Sequence, residues 1–171
     1  MQDENVTYLT YSDNNWEQQS TIKITMNVLI GIFADSSNEI HLVYKKDIWN
    51  ICERVYTSDG RSQETQLTNN YYIPGLWWVL YDFRLTTSPS GQIALVYTYQ
   101  EENGTSGLQE LQQIRALFYK TSWEGPKNIT QVECSSNTYI GADYDAQEKL
   151  HIVTSHPNNF SLTYLTYSND R

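Results

Sequence analysis

Three segments of the chain share one pattern of apolar and polar positions. Ile40-His41-Leu42-Val43-Tyr44, Ile93-Ala94-Leu95-Val96-Tyr97 and Leu150-His151-Ile152-Val153-Thr154 are each apolar at alternate positions and beyond, which predicts a β-strand. Each follows a short polar stretch, residues 35–39, 88–92 and 145–149, with the composition of a tight hairpin turn. Ahead of those turns, residues 28–34, 81–87 and 138–144 read as the partner strands. A third strand recurs four times, as Tyr8-Leu9-Thr10-Tyr11, Arg54-Val55-Tyr56, Leu117-Phe118-Tyr119 and Tyr164-Leu165-Thr166-Tyr167, with the aligned tyrosines 45, 63 and 48 residues apart. A fourth follows three of them at a constant offset of six: Trp16 leads to Ile22, Trp123 to Ile129, and Arg61 to Leu67.

The chain therefore reads as one all-β domain of antiparallel four-stranded repeats. Residues 1–26 supply strands three and four of a first unit, 27–69 and 70–131 are units, and 132–171 are a partial unit. The segment Thr7-Tyr8-Leu9-Thr10-Tyr11-Ser12 returns unchanged as Thr163-Tyr164-Leu165-Thr166-Tyr167-Ser168, 156 residues later. Four antiparallel strands in roughly 45 to 60 residues is the period of a β-propeller blade. The expectation is about three to four blades, a half-propeller, with a β-sandwich as the alternative. Three blades are too few to close a ring, so the same reading expects a partner: a homodimer, or the remainder of a longer parent chain.

Composition adds to this picture. With 14 Tyr, 5 Trp and only 18% charged residues in 171, the chain suits pleated, half-buried strands and one sizeable core. A net charge of −9 opposes phosphate backbones and anionic lipid, so nucleic acid is not an expected partner. No apolar run reaches the roughly 20 residues of a membrane span, so membrane insertion is not expected either, and Met1 to Asn5 lack the basic and apolar parts of a signal peptide. Cys52 and Cys134 are compatible with one disulfide without requiring it. Asn-x-Ser/Thr sequons begin at Asn5, Asn103, Asn128 and Asn159. They lean the expected location toward secreted or cell surface, with cytoplasmic as the alternative.

The stretch Leu117-Phe118-Tyr119-Lys120-Thr121-Ser122-Trp123-Glu124-Gly125-Pro126-Lys127-Asn128-Ile129-Thr130 resembles the outer hairpin of a sialidase-like propeller blade, and Ser58-Asp59-Gly60-Arg61 is similar to an Asp-box turn. The resemblance implies a propeller fold. Its activity is not carried over, because Arg54, Arg61, Arg84, Arg115 and Arg171 are scattered without the arginine cluster that sialidases need. The units also resemble those of fucose-binding lectins, small propellers that some members assemble from short chains. There the sugar is held by an Arg on one strand and a Glu on the next, beside a Trp. The matching strands here carry no arginine, while Glu53 and Arg54 sit together in a third strand. What that likeness implies is assembly from more than one chain.

Little in the sequence points to catalysis. His41, His151 and His156 lie far apart with no paired cysteine spacing, so neither a metal site nor a cofactor is expected, and His41 with His151 occupies equivalent repeat positions, which favours a structural role. Asp35, Asp143 and Asp145 offer carboxylates for glycoside chemistry, but Asp35 and Asp145 are also turn residues. No catalytic residue is assigned. Connections from strand one to two and from three to four are uniformly short, whereas those on the other side carry the insertions: residues 68–78, 98–113, 45–50 and 155–159. On that elaborated side, Asn69 to Trp78 concentrates aromatic rings, which stack on the C–H faces of sugars or peptides while polar tips orient the ligand. Tyr71, Tyr72, Trp77, Trp49 and Arg84 are the expected ligand-binding residues. The expected function is a non-enzymatic module that binds a glycan or a protein. A fragment of a glycosidase-like propeller enzyme and a structural assembly unit are the alternatives.

Overall fold

The structure, a computed structural model, describes residues 3–25, 28–47, 50–57, 62–69, 80–101, 111–133, 139–156 and 161–168; for most of the first two strands the backbone alone is described. It is all-β and antiparallel. Strands β1 (Asp3–Ser12) and β2 (Asn15–Thr25) form a hairpin. β3 (Val28–Ala34), β4 (Ile40–Lys45), β5 (Ile51–Tyr56) and β6 (Ser62–Gln66) form a four-stranded sheet, and so do β7 (Leu80–Thr87), β8 (Ile93–Glu101), β9 (Leu111–Tyr119) and β10 (Trp123–Glu133). β11 (Ile140–Tyr144), β12 (Leu150–His156) and β13 (Ser161–Tyr167) form a three-stranded sheet. Within each sheet every strand pairs with its neighbour in sequence.

The first hairpin of each larger sheet closes by the same device. The residue that opens the turn, Asp35, Ser88 or Asp145, receives a backbone hydrogen bond from the residue three positions on and donates its own N–H to the one four positions on. Its side-chain oxygen takes the N–H of that last residue as well: Glu39 to Asp35, Gln92 to Ser88, Lys149 to Asp145. The fourth turn position is left-handed each time, at Asn38 (φ 59°), Gly91 (φ 86°) and Glu148 (φ 65°). This is a type I turn ending in a left-handed residue, a connection whose twist matches the strands it joins. Asp and Ser open it because their short side chains hydrogen-bond the turn backbone.

Sheet β7–β10 lies between the other two large sheets and is buried on both faces. Ile93, Leu95, Tyr97, Leu117 and Tyr119 pack with Phe33, Val43 and Ile51 of β3–β6. The intervening residues Ala94, Val96, Ile114, Ala116 and Phe118 pack with Ile140, Leu150 and Ile152 of β11–β13. Period-two alternation thus divides one sheet between two cores, each fully buried aliphatic side chain contributing roughly 1.5–3 kcal/mol. First strands approach one another: β7 lies against both β3 and β11. Gly31 is small for that reason, since a Cβ there would meet Leu85 Cδ2 at 2.7 Å. Asp82 Oδ2 accepts the N–H of Ile140 at 2.7 Å, and Thr86 donates to Asp143 Oδ1 at 2.8 Å, tying β7 to β11.

Two expectations need correction. Residues 98–113 were expected to form one insertion, but residues 98–101 continue β8 and pair with residues 111–114 at the start of β9. The ladder persists because Thr98, Tyr99, Gln113 and Ile114 are buried. Residues 155 and 156 likewise belong to β12, Ser155 opposite Leu162 and His156 opposite Ser161. Cys52 is a buried free thiol, its pKa pushed up to about 11 by burial and by the charge of Glu64; Cys134 lies outside the described residues.

Candidate functional site

Where the outer strands of β3–β6 meet the β9–β10 hairpin, the apolar contact gives way to a cleft of about 480 Å³. Its polar wall comes from β4 and β5. His41 enters from the side of β4 that also carries Val43, and Glu53 lies directly across from Val43 on β5. His41 Nδ1 lies 2.7 Å from Glu53 Oε1. A carboxylate only accepts, so this nitrogen carries the hydrogen. Trp123 Nε1 donates to the same oxygen at 2.7 Å, across the boundary between the two sheets. Among the described residues none donates to Oε2.

The remaining wall is aromatic. His41 stacks on Phe33 at 4.5 Å between ring centroids, and Tyr119 and Trp123 tilt against each other at 5.4 Å. The Tyr119 hydroxyl donates to Asp35 Oδ2 at 3.4 Å and lies 3.5 Å from His41 Nε2. Glu39, Thr65, Gln66, Thr121 and Ser122 complete the rim. Gly125 stands at its edge with φ 115°, and a Cβ there would meet the carbonyl oxygen of Ala116 at 3.0 Å.

Burial and charge act together here. Burial would lower the pKa of His41, but the hydrogen bond and charge of Glu53, with the charge of Asp35, outweigh it and raise the value. For Asp35, burial pushes upward, yet the N–H groups of Glu39 and Ser37 and the nearby imidazole hold the carboxyl below its usual range. Burial, then the negative charges of Asp35 and Glu53, push the Tyr119 phenol up to about 12. The site thus favours an imidazolium between two carboxylates, capped by a neutral phenol. Ligand atoms of Asp35, Glu39 and His41 lie within 4.8 Å of one another, a set of two carboxylates and an imidazole of the kind that takes a divalent cation. Their hydrogen bonds to the turn, to Glu53 and to Tyr119 account for the placement of Asp35 and His41 without an ion.

Of the residues expected from sequence to bind a ligand, Arg84 alone falls among the described residues, and it does not line this cleft. Tyr71, Tyr72, Trp77 and Trp49 lie outside the described residues. Arg84, on β7, is half-exposed and donates to Asp82 Oδ1 at 2.9 Å and to its own neighbour's carbonyl, Phe83 O, at 2.6 Å. Asp35 and Asp145 serve the turns, and Asp143 accepts from Thr86 and from the N–H of Tyr144. Sequence reasoning passed over Glu53 and Trp123 as ligand residues. The available signal was a carboxylate inside the strand Ile51-Cys52-Glu53, whose neighbours are apolar: a charge in such a place needs a partner.

The neighbouring sheets show how specific the arrangement is. At the positions of His41 and Glu53, sheet β7–β10 has Ala94 and Ala116, and β11–β12 pack closely against them. Sheet β11–β13 has His151 and Tyr164 there, with His151 Nδ1 hydrogen-bonded to the Tyr164 hydroxyl and Nε2 at 2.7 Å from Asp145 Oδ2. A scan against protein-family models matches none of them, and a search of curated proteins finds no match, so the functional reading rests on the cleft itself.

Proposed function

We propose that this chain is a non-enzymatic binding module of β-propeller type, each four-stranded sheet acting as a blade, and that the cleft between β3–β6 and β9–β10 holds a neutral sugar. The observation that carries the reading is Glu53: one carboxylate oxygen fixes His41 and Trp123 side by side at a sheet boundary. Such an acceptor, held rigidly beside an indole and a phenol, suits a ligand with hydroxyls on one face and C–H groups on the other. Rim hydroxyls and amides from Thr65, Gln66, Thr121 and Ser122 offer further hydrogen bonds, and among the described residues no arginine lines the cleft to favour an anionic sugar. Adjacency of the first strands β3, β7 and β11 supports the propeller reading over a sandwich.

Titration calorimetry against a panel of neutral monosaccharides tests this. Trp123→Ala is expected to abolish detectable binding while the chain stays folded. Trp77→Ala tests whether the aromatic connection between β6 and β7 contributes. Binding that survives Trp123→Ala and is lost in Trp77→Ala would place the ligand on the elaborated side; no binding to any sugar would leave the protein-recognition reading.

A further inference from the structure

Among the described residues, three bare apolar surfaces stand out, and the repeat indicates what each lacks. Leu9 on β1 is 48% exposed. It belongs to the hexapeptide that returns at residues 163–168, where its counterpart Leu165 packs against the core shared by β7–β10 and β11–β13. On β3–β6, the face bearing the buried residues Leu42, Tyr44 and Cys52 is bare at its first strand: Ile32 lies opposite Leu42, Leu29 opposite Tyr44, and both are exposed. The outer face of β11–β13 exposes Val153, Leu162 and Tyr164, although the equivalent residues on β3–β6 (Val43, Ile51 and Glu53) are buried.

These surfaces are complementary. The hairpin β1–β2 has the chemistry of a third and fourth strand. Among the described residues, sheet β11–β13 has first, second and third strands and no fourth. Two residues separate β2 from β3, so wherever the hairpin docks, its own β3 follows closely. We propose that two copies of the chain complete each other's sheets: β1 of one copy enters beside β12 of the other in the register that β13 holds, and β2 becomes the fourth strand. Leu9 then stands where Leu165 stands, and β11 and β12 lie over Leu29 and Ile32 of the copy that donated the hairpin. Six identical residues exchange places, so backbone pairing and one packed leucine are conserved, and the gain is the apolar surface of Leu29, Ile32 and Val153 that becomes covered. The pair holds six four-stranded sheets, two from each chain alone and two shared. The face of β3–β6 that bears Leu29 and Ile32 is opposite the one that bears His41 and Glu53, so the assembly does not depend on what the cleft binds.

Light scattering at low micromolar concentration is expected to give twice the 19.9 kDa chain mass. Tyr164 pairs with Val153, so Tyr8 of a second copy would replace it opposite Val153. The double variant Tyr8→Cys, Val153→Cys is therefore expected to form a reducible intermolecular disulfide, which Val153→Cys alone does not form. Leu9→Asp, an exposed change that leaves the single chain folded by circular dichroism, is expected to weaken association ~100- to 10,000-fold, because the symmetric pair carries the change twice, each on the scale of one unburied leucine. A monomer at every concentration overturns the proposal. So does a dimer that survives Leu9→Asp and gives no Tyr8–Val153 link.

Discussion

The same turn-and-strand chemistry occurs twice in this protein in opposite surroundings. Asp35, His41 and Glu53 form a chain of polar contacts on β3–β6; Asp145, His151 and Tyr164 form its counterpart on β11–β13. In the first, the β9–β10 hairpin lays Tyr119 against the histidine and Trp123 against Glu53, and the exposure of His41 is 2%. In the second, nothing among the described residues covers the group, and Tyr164 is 60% exposed. Local sequence therefore makes an Asp–His pair wherever the repeat places one. The covering sheet turns that pair into a cleft, and a carboxylate takes the third position only where Trp123 and His41 can both donate to it. An uncompensated carboxylate in that place would be costly.

The sharpest way to break the contrast is to remove the third member on each side. Glu53→Ala leaves His41 and the Trp123 N–H buried without their acceptor and is expected to cost about 3–5 kcal/mol in urea unfolding. Tyr164→Phe, its counterpart in solvent, is expected to cost less than about 0.5 kcal/mol. Equal losses would mean that burial is not what separates the two groups.

A smaller effect comes from the backbone beside the cleft. Gly125 and Gly91 both have left-handed φ, but only Gly125 has neighbours where a Cβ would go. Gly91→Ala is expected to cost about 1 kcal/mol for the conformation alone. Gly125→Ala is expected to cost about 2–3 kcal/mol and to weaken sugar binding, because relieving the contact with Ala116 O displaces the segment after Trp123. Thermal unfolding of the two variants side by side measures the difference.

The smallest expected effect is on pH dependence. His41 has a folded-state pKa above its ordinary value of 6.5, so its contribution is fully present below about pH 6.5 and is lost as pH rises through the raised value. Denaturant midpoints are expected to fall across that window, and the fall is expected to vanish in Glu53→Gln, which removes the charge that holds the imidazolium. At the acid end, Glu64 behaves oppositely. Burial works against it, but hydrogen bonds from Lys46, Tyr44 and Arg54 lower its pKa to about 2, so its contribution is present above its ordinary 4.5 and is lost as pH falls toward 2.

Much of this fold was legible in the chain because its strands announce themselves locally. The three apolar segments beginning at Ile40, Ile93 and Leu150 are β4, β8 and β12, and the polar stretches before them are hairpin turns. The tyrosines Tyr11, Tyr56, Tyr119 and Tyr167 all fall in strands that follow or open such hairpins. The strand ends around residues 98–101 and 111–114 were hidden because Thr98, Gln100, Gln112 and Gln113 look like loop chemistry, and only pairing shows that backbone bonds are satisfied there. The cleft was hidden for a different reason. Glu53 meets Trp123 across 70 residues and a sheet boundary, and nothing in the spacing of one strand reveals the register of another.

The neighbour-to-neighbour pairing of strands also bears on how the protein reaches its structure. Every ladder closes over a single turn or connection, so the entropy lost in bringing paired strands together is paid in small instalments. A sheet can form its hydrogen bonds before its neighbour exists, and only then does it need a face to cover. Such a molecule can lengthen by duplication of one unit without rewiring any strand, and the surface that remains bare at each step is where the next unit, or the next chain, joins.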